Sequence, residues 1–388
     1  MRTDFKIKFA LSLDEQALTP HDDLWSAPLP ASRHAFSRLQ CEGAFEEDVT
    51  YGDYFTAARH FLEEDGYALI RDASGRMTGK AVSPIEIEKI SVYLLKHGAF
   101  YHPACVVAEV DGHRLSFVLN VAVSTKGREM IAREYRSLAH LNTQRPGSFW
   151  PPVFGIGQGL DPHGRQFPMF LGQWLDGFFE FHISGAGADR RHVVLWDTDN
   201  GQRRLNHDQA IECLRQAACI LAYAYNPVTF EAIRQWHHAA GDFVVAFNEE
   251  KISVRMIAAR NYAPMIENEA PDVEAMLEAL LIFLMEISLK LRLDRLDGVG
   301  RVVCHGDHVV PAICSGFFQG LRMAAPQHGL PEDFDVTAKH YIALHDTRQL
   351  NRVASAILKN LPAESGERDL LRRKLEHHLS ALLRAVCV

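Results

Sequence analysis

The chain has no excess of positive charge. It carries 41 Lys and Arg against 49 Asp and Glu, a formal net charge of −8, and binding duplex nucleic acid at cellular salt rests on a basic surface, so that class is set aside. It also lacks a long uninterrupted apolar run. The most apolar stretch, 276–291, is broken by Glu278, Glu286 and Lys290 and is shorter than the roughly 20 residues that a membrane span needs, so it predicts a buried helix. The seven cysteines (Cys41, Cys105, Cys213, Cys219, Cys304, Cys314 and Cys387) are odd in number and scattered, with no C-x-x-C pair. That excludes a disulfide framework and zinc-ribbon spacing, and predicts the reduced thiols of a cytoplasmic protein. The start, MRTDFKIKFALSLDEQ, mixes acids into its apolar residues and offers no small-residue cleavage site, so no export is expected. Solenoid-period repeats and low-complexity tracts are absent as well.

What is there is an ordinary globular composition, 388 residues with 47% apolar and 23% charged, enough for about two to three domains and at least one large core. Of the 20 histidines, only His237-His238 and the group His305, His308 cluster with other reactive residues.

Along the chain, residues 1–83 read as an N-terminal extension: turn-rich polypeptide, a helix over 51–64, a strand-like piece over 67–71 and a turn at 72–75. A helix is expected over 85–98. Two β-branched runs, 105–110 and 115–124, then flank Asp111-Gly112, a strong hairpin signal. In STKGREMIAREYRSLAHLN, Ile131, Tyr135, Leu138 and Leu141 recur at helical spacing with Glu134 beside them. Strands are expected over 153–157 and 167–173, with GIGQG at 155–159 read as a turn. The second half reads as helices over 208–225, 275–293, 339–361 and 365–386, interrupted by a second hairpin of 243–247 and 252–257.

This order resembles the protein-kinase-like superfamily, in particular its aminoglycoside- and small-molecule-kinase branch. The residues that carry the likeness are FVLNVAVS as the third strand, REYRSLAHL as the glutamate-bearing helix and FLGQWLDGFFEFHIS as the strand leading into the hinge, and it covers about residues 84–300. The resemblance implies an α+β, two-lobed fold with a small antiparallel-sheet N-lobe over 84–173 and a mainly helical C-lobe over 174–388. The internal hairpin falls at 242–258. It implies ATP and Mg2+ as cofactors, and phosphoryl transfer by a lysine on the phosphates, a helix carboxylate holding that lysine, a catalytic aspartate and a metal-binding Asn/Asp pair. Asn120 occupies the lysine slot, and an amide cannot neutralise phosphate. Glu134 is the helix carboxylate, unless it is a solvated helix-face acid; Lys96 or Lys126 would have to reach in from elsewhere, and Gln173 lies on the hinge strand.

Two segments compete for the catalytic loop. His305-Gly306-Asp307 matches the family's His-Gly-Asp string, but the fifth residue after the aspartate is Ala312 instead of a metal-binding Asn, and the following sequence reads as helix. The other, Gln235 to Asp242, directly precedes the second hairpin. There His237 falls at the catalytic aspartate, Asp242 at the metal-binding Asn, and Ala258-Ala259-Arg260 where the second metal aspartate belongs. Asp242 would bind the metal, His237 or His238 would act as base, and Arg260 would bind an anion bidentately. The plainer account is that His238 and Asp242 only cap and hydrogen-bond their loop. Asp197 and Asp199 suggest a solvated acidic turn or a weak metal site. The amphipathic C-terminal helix offers a face for a protein partner, though packing on its own domain is the default.

The expectation is therefore a cytoplasmic, kinase-like protein with a degenerate, pseudokinase-like site that binds a nucleotide or phosphorylated ligand between lobes. An active divergent small-molecule phosphotransferase and a non-catalytic interaction scaffold are the alternatives.

Overall fold

The computed structural model describes residues 7–12, 16–30, 49–98, 100–145, 147, 149–185, 187, 191–197, 201–238, 241–248, 251–267, 271–361 and 366–387. The chain forms two compact units, residues 1–139 with 151–176, and residues 140–150 with 177–388. The first is rich in sheet and the second mainly helical, the order that the kinase-like resemblance implies. Among the described residues, no helix is long and apolar enough to cross a membrane.

The first unit is built on a six-stranded sheet of β1 (Lys8–Ala10), β2 (Ile87–Tyr93), β3 (His102–Val110), β4 (His113–Val121), β5 (Val153–Leu160) and β6 (Gln166–Gln173), in the order β1-β2-β3-β4-β6-β5. Only the β1–β2 pair is parallel. Asp111 and Gly112 take φ of 47° and 71°, the pair of left-handed residues that a two-residue hairpin turn requires. Helix α1 (Tyr51–Thr78) buries Tyr54, Phe55, Ala58 and Phe61 against the sheet, and α2 (Thr125–Gln144) carries the expected 131/138/141 apolar stripe, all three buried. A reciprocal cap starts α1: Asp53 N donates to Thr50 Oγ1 at 3.1 Å, and Thr50 N to Asp53 Oδ2 at 2.9 Å.

Three local expectations fail here, each for a packing reason. The piece 67–71 is helix, because α1 bends at 64–67, where Asp65, Gly66 and Tyr67 have positive φ, and then resumes with Ile70, Ala73 and Ser74 buried on one face. Residues 85–98 give a strand, β2, because β1 and β3 flank it and its Ile87, Ile90 and Val92 enter the core. GIGQG lies inside β5. Its glycines face α1 at every second position: a Cβ on Gly159 would sit 2.1 Å from Ala57 O, on Gly157 2.9 Å from Phe61 Cε2, and on Gly155 2.5 Å from Leu69 Cδ1. These glycines let a helix lie against a strand; they form no phosphate loop.

The second unit holds a five-stranded antiparallel sheet of β7 (Phe179–Ser184), β8 (His192–Asp197), β9 (Gly201–Arg204), β11 (Phe243–Asn248) and β12 (Lys251–Met256), in the order β12-β11-β7-β8-β9. Two short ribbons accompany it, β10 (Glu231–Ile233) with β13 (Tyr262–Pro264), and β14 (Leu293–Arg295) with β15 (Val302–Cys304). Its helices are α3 (His207–Ala224), α4 (Val273–Lys290), α5 (Val310–Ala324), α6 (Phe334–Ala343), α7 (Thr347–Lys359) and α8 (Glu367–Val386). The expected helix 339–361 is two helices, since Asp346 and Gln349 cap α7 reciprocally at 2.8 Å. Helix 275–293 stops at Lys290 so that Leu293 can open β14. The stretch from Gln235 follows the short strand β10 instead of a helix. Leu371, Leu375, Leu379 and Leu382 of α8 are buried within this unit. Asp199 and the turn residues Glu249 and Glu250 lie outside the described residues.

Candidate functional site

The second unit gathers its chemistry around one buried carboxylate. Asp294 sits on β14, opposite Val303 of β15, and is fully buried. Its Oδ1 accepts from His182 Nδ1 at 3.0 Å and from Arg295 N at 2.7 Å, and its Oδ2 accepts from Ile183 N at 2.6 Å. His182 and Ile183 lie in the middle of β7, so the ribbon and the sheet are joined by this side chain. His238 Nε2 stands 3.6 Å from Oδ2. The loop that carries His238 closes on β7 through Gly241, whose φ is 72° and whose added Cβ would lie 2.6 Å from Glu180 Oε1. No other residue type fits that turn without strain.

The fourth member is His305, one residue past β15. Its ring centroid is 6.4 Å from that of His238, and nitrogen atoms of these two imidazoles and an oxygen of Asp294 all lie within 4.8 Å of one another. His305 is anchored through its backbone. Its N–H donates to Arg292 O at 2.8 Å, and its carbonyl accepts from Arg292 Nη2 at 3.0 Å. The fully buried Arg292 also donates to Asp307 Oδ1 at 2.5 Å and meets His378 Nδ1 at 2.9 Å.

Electrostatics polarise the cluster. Burial alone would raise the pKa of Asp294, but the two imidazoles beside it, His238 close by and His182 through its hydrogen bond, overrule it, and the carboxyl is held far below the usual carboxylate range. Burial would likewise lower His182; hydrogen bonds to Asp294 and Glu180 reverse this and push it up to about 9. His305 goes the other way. Burial dominates, only partly opposed by Asp294, and brings it down to about 3, so its ring is neutral at pH 7. Neither ring nitrogen of His238, which is 1% exposed, and not Nε2 of His305, 9% exposed, makes a hydrogen bond.

A second, separate arrangement surrounds Asp242. Its carboxylate accepts from Arg260 Nη2 at 2.5 Å, from Arg260 Nη1 at 2.7 Å and from His237 N at 2.8 Å, and the residue is 1% exposed. The ring of His237 meets Glu367 Oε1 through Nε2 at 3.1 Å. Burial raises the pKa of Glu367, yet the hydrogen bond and charge of His237 outweigh it and lower the carboxyl overall.

The two rival loop segments of the sequence thus meet: His238 from one and His305 from the other share Asp294. The group His237/Asp242/Arg260 and the pair Asp307/Arg292 are formed by residues next to these two histidines along the chain or further off. Of the other predicted residues, Lys96, Asn120, Glu134 and Gln173 belong to the first unit, and Asp197 ends β8 of the second. Lys96 is exposed between β2 and β3, and Asn120 is half-buried on β4 opposite Pro103 and Phe170. Gln173 closes β6 opposite Phe117. Glu134 is 3% exposed on α2 and so is not a solvated helix-face acid. Sequence reasoning missed Asp294, His182 and Arg292. The available signal was three charges in LRLDR, Arg292, Asp294 and Arg295, at the end of the most apolar helix, which was expected to run to 293.

No protein-family model matches the chain, and no curated protein matches it. Among solved structures, it is similar to WaaP, described in complex with acyl carrier protein, at 13% identity and a TM-score of 0.31, covering 74% of this chain and 97% of that one. It is also similar to the MAP kinase LmaMPK10 from Leishmania major, at 9% identity and a TM-score of 0.28, covering 83% of this chain and 99% of that one.

Proposed function

We propose that this chain is a kinase-like protein with a degenerate phosphoryl-transfer site, one that binds a nucleotide or other phosphorylated ligand and does not transfer the phosphoryl group. The observation that carries this reading is the ion pair of Asp242. A carboxylate that holds Mg2+ must offer lone pairs to the ion, and both oxygens of Asp242 are taken by the Arg260 guanidinium at 2.5 and 2.7 Å. The pairing is bidentate and buried, the strong form of a charge-assisted bond. The sequence supports the same reading at two further places: Asn120 stands where the family has its lysine, and Ala258-Ala259-Arg260 supplies no acid for a second metal contact.

The test is a melting curve and an activity assay on the same preparation. Binding of ATP, with Mg2+ or Mn2+, raises the melting temperature by mass action, while ATP is neither hydrolysed nor used to phosphorylate sugar or aminoglycoside acceptors. An unchanged melting temperature at millimolar nucleotide overturns the binding half. Turnover that disappears in Asp307→Ala overturns the degenerate half and assigns an active phosphotransferase to the His-Gly-Asp segment.

A further inference from the structure

We propose that His238, Asp294 and His305 form a binding site for a divalent first-row transition ion, with zinc as the natural occupant. The proposal does not rest on the phosphoryl-transfer reading, and concerns different residues from the Asp242 pair.

Three observations lead to it. The donor set is two imidazoles and one carboxylate, which suits zinc and its neighbours in the first row; magnesium and calcium favour all-oxygen shells. The spacing is close to what coordination needs. With metal–ligand bonds of about 2.0–2.2 Å, the donor atoms of a tetrahedral site lie roughly 3.4 Å apart. His238 Nε2 and Asp294 Oδ2 are already at 3.6 Å, and all three donors fall within 4.8 Å. Small side-chain movements close the set around an ion. Finally, the nitrogens are waiting. His238 is 1% exposed with neither ring nitrogen hydrogen-bonded, and His305 Nε2 is buried in the same condition. Buried imidazoles normally satisfy their ring nitrogens, and two adjacent ones that fail to do so beside a carboxylate are explained by a ligand that accepts both lone pairs.

The surroundings are those of a supported metal site. Coordinating carboxylates and imidazoles are held by outer hydrogen bonds. Here Asp294 is fixed by Ile183 N, Arg295 N and His182 Nδ1, while His305 is fixed through its backbone by Arg292. The three ligands come from the loop before β11, from β14 and from the residue after β15. The ion would therefore fasten the ribbon and the loop to one another. The chain supplies three ligands, so water completes the shell.

The experiment uses the full chain, loaded with Zn2+ or Co2+ and exchanged into metal-free buffer. One ion per chain is expected by elemental analysis. Co2+ gives the visible absorption of a four-coordinate ion, and X-ray absorption of the zinc form shows a shell of N and O ligands at about 2.0–2.1 Å with no sulfur. His238→Ala and His305→Ala each weaken zinc binding about 100-fold or more. Because the chain has 20 histidines, the control is the double variant His207→Ala/His308→Ala, which removes an exposed imidazole pair 4.9 Å apart; it keeps the full stoichiometry. Loss of both ions on exchange, sulfur in the zinc shell, or unchanged affinity in His305→Ala overturns the proposal. If a ligand variant fails to fold, the stoichiometry and the two spectra of the unaltered chain decide alone.

Discussion

The two units solve burial in opposite ways. In the first, a continuous apolar cluster runs from Phe9 and Phe55 through Val106 and Leu119 to Leu171, and five of its buried polar residues are serines, among them Ser91 and Ser116. In the second, the buried polar set is dominated by charged and imidazole groups: His182, His238, Asp242, Arg292, Asp294, His305, Glu367 and His378. Apolar burial stabilises without directional demands. A buried charge is tolerated only where a partner meets it with good geometry, and such pairs contribute specificity and chemistry more than net stability. The difference places most of the buried ionisable side chains in the second unit.

Substitutions sharpen that contrast. Asp294→Ala leaves the N–H of Ile183 and the ring of His182 without their acceptor, and a loss of about 3–5 kcal/mol in denaturant unfolding is expected. Phe55→Ala, which empties a fully buried ring site in the first unit, costs about the same, 3–5 kcal/mol, by transfer and cavity terms. The pH separates the two: Asp294 and Glu180 hold His182 up to about 9, so part of the first loss fades as the pH rises through 9, while the second does not change. Equal pH responses would erase the distinction drawn between the units. Gly159→Ala drives a methyl toward the Ala57 carbonyl and destabilises by about 1–3 kcal/mol; wild-type stability in that variant would show that α1 is not held against β5. Thr50→Ala removes the α1 cap and costs about 1 kcal/mol, read as a small shift of the unfolding midpoint.

Acid tests one vulnerability that the units share. Burial, helped by the charge of a neighbour, lowers His102 of the first unit and His378 of the second to about 3. The folded chain therefore refuses protons that the unfolded chain accepts near pH 6.5. The sign follows: stability is complete above about pH 6.5 and drains away as the pH falls toward 3. In His102→Gln, the slope of stability against pH in this window decreases by about one proton, measured by unfolding at a series of pH values. An unchanged slope would mean that His102 is protonated in the fold.

Much of the scaffold was legible in the sequence. The Asp111-Gly112 hairpin, the α2 stripe, the ribbon at 243–256 and the helices α3, α5 and α8 follow from turn chemistry and apolar period, which act over a few residues. Where the reading failed, a neighbour far along the chain decided the outcome. Ile87 to Tyr93 carries apolar residues that suit either period, and only the flanking β1 and β3 select a strand. The glycines of 155–159 resemble a turn until α1 is laid upon them. The candidate site was half legible: both histidine segments stood out, yet as rivals.

What the sequence determined by itself is the alternation of apolar and polar residues and the local caps and turns, and with them most of the elements and their order. What only tertiary structure decided is that His182, His238 and His305, three positions spread over more than a hundred residues, converge on the carboxylate of Asp294, and that Asp242 is closed off by Arg260. The reason is physical. Periodicity is encoded in neighbours along the chain, whereas the partner of a buried charge is fixed by whichever strand, ribbon or loop the packing brings to it.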